Sequence, residues 1–400
     1  MTVTLGSLLK KTPKYGINAA AQAHTASLPA YIRITDIDND GRFLPDPLVS
    51  VDSPLSRNYI LQDGDIVIAR TGASVGKSYR YRESDGELVF AGFLICITPD
   101  ERKLDPVFAG YYLQSKPYWD WIATESVRSG QPGINAQQLM QLELQLPAIQ
   151  HQREIGSRLI DADKLISTLK RLISKKRAIK QGMMQELLTA RTRLPGFTGD
   201  WRIRKISDFA QVASGGTPST AVSRYWGGTI RWMSSGEVHQ KRIREVSGRI
   251  SEDGLRESSA QLLPVGTVLM ALAGQGKTRG TVAVSRVELS TNQSIAGILP
   301  SGEHDPDFLF YNLDTRYSEL RGESTGDGGR GGLNLTIIKK LDVYMPRIEE
   351  QRAIARVLTD ADDEIESLKR RLESARNIKQ GMMQELLIGH TRLPVEEATS

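Results

Sequence analysis

Two stretches of this chain place apolar side chains at alternating steps of four and three. In the first they are Ile155, Leu159, Ala162, Ile166, Leu169 and Ile173, and in the second Ile354, Leu358, Ala361, Ile365, Leu368, Leu372 and Ala375. The spacing predicts two long helices, each with a narrow seam of the kind that pairs helices into coiled coils. Prolines stand outside both runs, at Pro147, Pro195, Pro346 and Pro394, while Gly182 and Gly381 are weak points within them. About 40 residues at 1.5 Å each make a rod of about 60 Å. So long a helix with one apolar stripe must bury it against a partner.

Elsewhere the periods are shorter. Tyr31 to Thr35 is strand-like and leads into the acidic turn DIDNDG, and LQDGDIVIAR reads as a turn feeding a buried strand, followed by the glycine-rich loop TGASVGK. Leu88 to Thr98 is a continuous apolar run suited to one central strand, and Pro106 to Trp121 reads as an aromatic-rich helix. After the loop SVRSGQPGIN, a short strand through Leu144 reaches Pro147. The mixture predicts an α+β domain.

The chain then repeats itself. IKQGMMQELL occurs at Ile179 to Leu188 and again at Ile378 to Leu387, and Leu146 to Pro195 matches Met345 to Pro394 without a gap at 28 of 50 positions. The globular parts repeat more loosely, LLPVGTVLMALAGQGK paralleling ILQDGDIVIARTGASVGK and TNQSIAGILP paralleling FAGFLICITP. The expected layout is two tandem units of about 200 residues: globular domains over 1–147 and 196–346, and spacer helices over 148–195 and 347–394. Gln150 to Thr189 holds 9 Lys/Arg against 4 Asp/Glu, and Glu349 to Ile388 holds 7 against 9, so the helices complement each other in charge. Connectivity sends the first helix from one domain to the other and brings the second back. The expected fold is therefore two pseudo-twofold-related α+β domains separated by a long antiparallel two-helix coiled coil.

Composition narrows the function classes. The N-terminal MTVTLGSLLKKTPKYG lacks the apolar run of a signal peptide, and no stretch approaches the roughly 18 apolar residues of a membrane span, so a cytoplasmic protein is expected. The single cysteine, Cys96, rules out an internal disulfide framework. A net charge of +5 is only mildly basic, and it is thinly spread: residues 1–147 hold 14 Lys/Arg against 16 Asp/Glu, and residues 200–346 hold 18 against 16. Nucleic-acid binding is permitted, but local loops and a partner's charge must supply the phosphate attraction.

Several segments imitate catalytic or cofactor motifs. Ala271 to Thr278 is one substitution from a P-loop, yet Ala271 replaces the first glycine and the following RGTVAV is strand-like, where a helix is needed to aim its dipole at phosphate. Gly326, Gly328 and Gly331 have dinucleotide-loop spacing without the preceding strand. Asp36, Asp38 and Asp40 begin like a calcium loop, but Pro47 stands where the closing glutamate belongs. The five histidines show no paired spacing, and one cysteine cannot build a zinc site. No catalytic residue, metal or cofactor of its own is assigned to this chain.

What remains is a set of donors and acceptors beside glycines, which is what reading base edges in the major groove requires. In the first domain these are Arg70, Thr71, Ser74, Lys77, Ser78, Arg128, Ser129, Gln131 and Asn135; in the second, Gln240, Lys241, Arg242, Gln275, Lys277, Thr278, Arg279, Arg330 and Asn334. As a set they point to double-stranded DNA. Each taken singly also fits an ordinary solvated turn, and a protein adaptor built on a coiled coil without DNA binding is the alternative.

The GDIVIARTGASVGK segment, the SGQPGIN and GGRGGLN loops, and the starts of the two helices, PAIQHQR and PRIEEQR, together resemble the specificity subunit of type I restriction–modification enzymes. The resemblance covers essentially the whole chain. The family favours Glu-Gln at the helix start, and the first copy departs from it with His151-Gln152. The resemblance implies a non-catalytic chain that reads a bipartite, asymmetric target, one half-site per domain. It implies two methyltransferase subunits docked on the helices, with Gln152, Arg153, Ile155, Leu159, Ile166, Gln351, Arg352, Ile354, Leu358 and Ile365 as the residues of the helix seam and of partner docking. Two motor-nuclease subunits are optional, and no membrane is involved. S-adenosylmethionine, ATP and magnesium would belong to those partners.

Overall fold

The computed structural model describes residues 2–126, 133–274, 278–322 and 333–387. Chain contacts divide it into two compact units, the first made of residues up to Arg171 together with those from Arg370 on, the second of Leu172–Lys369. Each unit thus owns a globular domain, part of the first long helix and part of the second.

In the first unit one antiparallel sheet runs Lys14–Tyr15, Leu94–Ile97, Ile66–Ala69, Ser78–Arg80. Ile66–Ala69 is buried throughout, as its unbroken apolar letters require. A second sheet runs Ala21–Ala23, Val49–Val51, Ala30–Ile32, Leu88–Phe90, its last pair parallel. The apolar run from Leu88 to Thr98 is therefore two strands and not the single central strand expected. Leu94 N–H donates to the Ala91 carbonyl at 2.9 Å, and this turn at Gly92 hands the chain from one sheet to the other. Both strands are buried, so the run looks unbroken in letters alone.

The aromatic stretch is also divided, into helices Pro106–Tyr112 and Lys116–Glu125. Ser115 takes extended backbone and Pro117 lies in the first turn of the second helix, where a missing N–H costs nothing. Asp105 caps the first helix by accepting from Phe108 N–H at 2.9 Å. Thr2–Thr4 pairs antiparallel with Glu143–Gln145, the strand that leads into the long helix.

The second unit repeats the order. A five-stranded sheet runs Val212–Ser214, Ile295–Ile298, Val268–Ala271, Val282–Ser285, Arg242–Ile243, and Asp305 caps the helix Pro306–Thr315. A three-stranded sheet centres on Trp226–Met233, and Arg202–Lys205 pairs with Asp342–Met345. A strand, Val282–Ser285, follows the P-loop look-alike, as its sequence requires.

The long helices are Ile149–Leu187 and Ile348–Leu386, 39 residues each. Most of their seam positions are buried, and Ala162, Ala361 and Leu372 partly so, but the first positions do not only pair helices. Ile155 and Leu159 pack into the first domain's core beside Leu5, Phe108 and Leu144. Ile354 and Leu358 do the same in the second domain with Phe308, Ile338 and Val343. The helix direction is read within each unit. In the second, Lys176 bonds Glu364 at 2.7 Å and Lys180 bonds Asp362, so numbers rise on one helix as they fall on the other. In the first, Leu386 and Leu387 share a cluster with Ile155 and Leu159, while Lys379 meets Asp163 at 2.9 Å. The helices run antiparallel in both.

Candidate nucleic-acid interface

In the first unit the two predicted glycine loops meet. The Arg70 carbonyl accepts from Ile134 N–H at 2.9 Å, and Thr71 pairs with Gly133. Arg70 N–H donates to the Phe93 carbonyl at 3.0 Å, which joins this edge to the turn between the two sheets. Gly72 has φ +73° with open space where a side chain would stand, so the loop backbone turns tightly and stays approachable. The Arg70 guanidinium lies over the Tyr15 ring at 4.7 Å, and the Tyr15 hydroxyl accepts from Ala136 N–H at 3.0 Å. Arg70, Thr71, Ser74 and Lys77 are all partly exposed.

The second unit keeps the backbone and changes the letters. By strand register, Leu272 occupies the place of Arg70, with its N–H donating to the Ser294 carbonyl at 2.8 Å. Ser214 stands where Tyr15 does and Ser294 where Phe93 does. Polar groups come from elsewhere: Thr217 bonds the exposed Gln293 side chain, and His239 Nε2 meets Thr278 Oγ1 at 3.2 Å.

Some predicted readers are committed inside the fold. Ser78 is buried in its strand and donates to the Leu113 carbonyl at 3.3 Å, so it offers nothing to a groove. Arg242 donates to Tyr311 Oη at 2.7 Å and pairs with Asp307 at 3.0 Å, and Lys241 pairs with Asp314 at 2.6 Å. Asn135 and Asn334 cap short helices, accepting from Gln138 N–H at 2.9 Å and Ile337 N–H at 3.0 Å. Gln240 is exposed, and Arg279 is placed but engaged within the chain. Arg128, Ser129, Gln131, Gln275, Lys277 and Arg330 lie outside the described residues. Tyr15, Phe93, Thr217, His239 and Gln293 join the candidates here; the sequence did not offer them because which strands and turns come to lie beside the glycine loops is not shown by the letters.

The acidic turn of the calcium look-alike is satisfied internally: Asp36 bonds Arg33, and Asp38 accepts from the Asp40 and Arg42 N–H groups. Among the described residues no cluster of His, Cys, Asp or Glu could hold a metal, and no helix is long and apolar enough to cross a membrane.

The family model described as type I restriction modification DNA specificity domain matches residues 3–176 and again 198–376. The chain belongs to that family. The MjaIX specificity subunit of Methanocaldococcus jannaschii is 33% identical over 178 residues, 44% of this chain and 40% of that protein. The putative MjaX specificity subunit of the same organism is 25% identical over 353 residues, 84% of this chain and 80% of that protein. Among solved structures, the S subunit from M. genitalium superposes with a TM-score of 0.63 at 15% identity, covering 97% of this chain and 96% of that one. The HsdS subunit from Thermoanaerobacter tengcongensis gives 0.52 at 16% identity, covering 98% and 97%. The shared fold extends over nearly the whole chain.

Each specificity domain grips the long helices by the same two devices. The first is a buried glutamine. Gln152 Oε1 accepts from Asp105 N–H at 2.9 Å, and its Nε2 donates to the Lys103 and Pro147 carbonyls at 3.1 and 3.0 Å. Gln351 repeats this with Asp305 at 2.9 Å, Glu303 at 3.4 Å and Pro346 at 2.9 Å. These glutamines are therefore spent inside their own domains and do not form the partner-docking surface that the resemblance implied, while their neighbours Arg153 and Arg352 are exposed.

The second device is a charged clamp. Asp163 accepts from Lys379 at 2.9 Å, from the Tyr111 hydroxyl at 2.8 Å and from Arg42 at 3.2 Å. Burial pushes the Asp163 carboxyl up, but Lys379, Tyr111 and Arg42 outweigh it and hold it below the usual range. Burial first, and then the Asp163 charge, raises Tyr111. In the other specificity domain Asp362 accepts from Lys180 and, at 2.7 Å, from Tyr311. The sequence repeat retained all three residue types, and that was the available signal.

Proposed function

We propose that this chain is the DNA-reading subunit of a type I restriction–modification enzyme. Each specificity domain reads one half-site of a bipartite, asymmetric double-stranded target, and the long helices carry two methyltransferase subunits, with motor-nuclease subunits joining where the system restricts. The observation that carries this is one scaffold bearing two different tips: Gln152 and Gln351, Tyr111 and Tyr311, Asp163 and Asp362 are kept, while Arg70 and Tyr15 give way to Leu272 and Ser214. In this reading the first head presents Arg70, Thr71, Ser74 and Lys77, and the second presents Gln240, Thr278 and Gln293. The chain performs no chemistry itself and works in the cytoplasm; S-adenosylmethionine, ATP and magnesium belong to its partners.

The test is methylome sequencing of a host with and without this chain, in the presence of its methyltransferase partner. The expected result is adenine methylation at a two-part motif that appears only with the chain. Unchanged methylation, or a single continuous motif, would overturn the proposal.

A further inference from the structure

The first specificity domain carries an arginine whose side chain is stacked on a tyrosine. Among the described residues the Arg70 side chain makes no hydrogen bond or ion pair; its one partner is the face of Tyr15, at 4.7 Å. Most partly buried arginines in this chain are spoken for, Arg33 by Asp36, Arg42 by Asp163 and Arg242 by Asp307. A guanidinium stacked on an aromatic ring keeps its planar edge free and loses little freedom when it binds. The stack is itself built in. Tyr15 is fixed by strand pairing to Ile95 and by the hydrogen bond from Ala136 N–H, while main-chain bonds to Phe93 and Ile134 pin the arginine's backbone on both sides. Beside it, Phe93 is 57% exposed, where burial would be the ordinary fate of a phenylalanine.

We infer that Arg70, braced by Tyr15, reads a guanine through its O6 and N7, and that Phe93 contacts a thymine methyl at an adjacent pair. A bidentate arginine is the commonest specific match to guanine in the major groove, and an exposed phenylalanine suits the thymine C5-methyl. The second domain, with Leu272, Ser214 and Ser294 at the same places, has neither device. The guanine therefore belongs to one half-site only. This inference rests on the reading of the chain as a DNA specificity subunit, and it adds the base.

The experiment methylates a duplex library, varied one pair at a time, using the full chain with its methyltransferase partner. For the wild type, one G·C pair in the half-site of the first domain should be required, with replacement reducing methylation roughly 10- to 100-fold. R70A should abolish the preference at that pair and leave the other half-site as selective as before. Y15A should relax the same pair; Y15F, which keeps the ring, should not. F93A should relax a neighbouring T·A pair. A wild-type motif with no guanine in that half, or an R70A enzyme with unchanged preference at every pair, would overturn the inference while leaving the bipartite reading intact. Loss of all methylation in R70A, R70K and Y15F alike would mark a structural role and overturn it too. A wild type with no bipartite motif would instead remove the proposed function.

Discussion

Replacing Gln152 by alanine separates two ideas about the start of the first long helix. The family resemblance counts this glutamine among the seam and partner-docking residues; the structure places it 1% exposed, holding three main-chain groups of its own domain. Each such hydrogen bond contributes about 1 kcal/mol net, and a buried main-chain group left without a partner costs about 1–3 kcal/mol. Water entering the vacated space recovers part of this, which puts the cost of Q152A at about 2–4 kcal/mol. For a unit of about 200 residues, 1 kcal/mol shifts the melting temperature by about 2–4 °C, so the first unit should melt roughly 5–15 °C lower. Calorimetry of the purified chain would read this, with Q351A as the matched change in the second unit and R153A as the exposed control that should melt like the wild type. A Q152A chain that melts within 2 °C of wild type but no longer binds the methyltransferase would refute the reasoning and return Gln152 to a docking role.

Three further outcomes follow from particular side chains. D163N should weaken the first unit's hold on the second long helix by about 2–3 kcal/mol, since Lys379 and Arg42 lose their counter-charge in a half-buried site; unfolding by urea checks it. Because the Asp163 carboxyl is held below its usual range, its contribution is present above about pH 4 and fades as pH falls through the depressed value, so the D163N and wild-type stability curves should converge in acid. His304 is buried and brought down to about 4, mainly by burial against a small opposing effect of Glu303, so the second unit should lose stability as pH falls from about 6.5 to 4, and H304F should remove that dependence. S78A should leave DNA selectivity unchanged, because its hydroxyl already donates to the Leu113 carbonyl inside the domain.

The long helices were legible because the forces that make them are local and periodic. A seam residue announces itself every three or four positions, and the repeat doubled the signal from Ile155 to Leu386. Strand assignment was legible only where one strand met one apolar run, as at Ile66–Ala69. Between Leu88 and Thr98 it was not, since two strands of different sheets are both buried and Gly92 is the single letter that separates them. At the interface, residue type gave candidates but not commitments. Arg70 and Arg242 look alike in a sequence; one has a tyrosine face and a free edge, and the other is bound to Tyr311 and Asp307. Asn135 and Asn334 suited adenine by type, yet each first satisfies a helix N-terminus three residues on.

The way the two domains differ follows from where each residue's energy is placed. Gln152, Tyr111 and Asp163 each bond groups on a separate element, so any change at one strands partners elsewhere, and their counterparts Gln351, Tyr311 and Asp362 are the same residue types. At the tips the load falls on the main chain: Arg70 and Leu272 make the same N–H bond to the adjoining turn whatever their side chains. Arg70 and Leu272 are exchanged at little cost to that main-chain bond, because it does not depend on the chemistry of either side chain. A protein that must read two different half-sites with one architecture needs that separation, with the same polar contacts in both copies where the domains grip the helices and different letters on turns pinned by main-chain bonds.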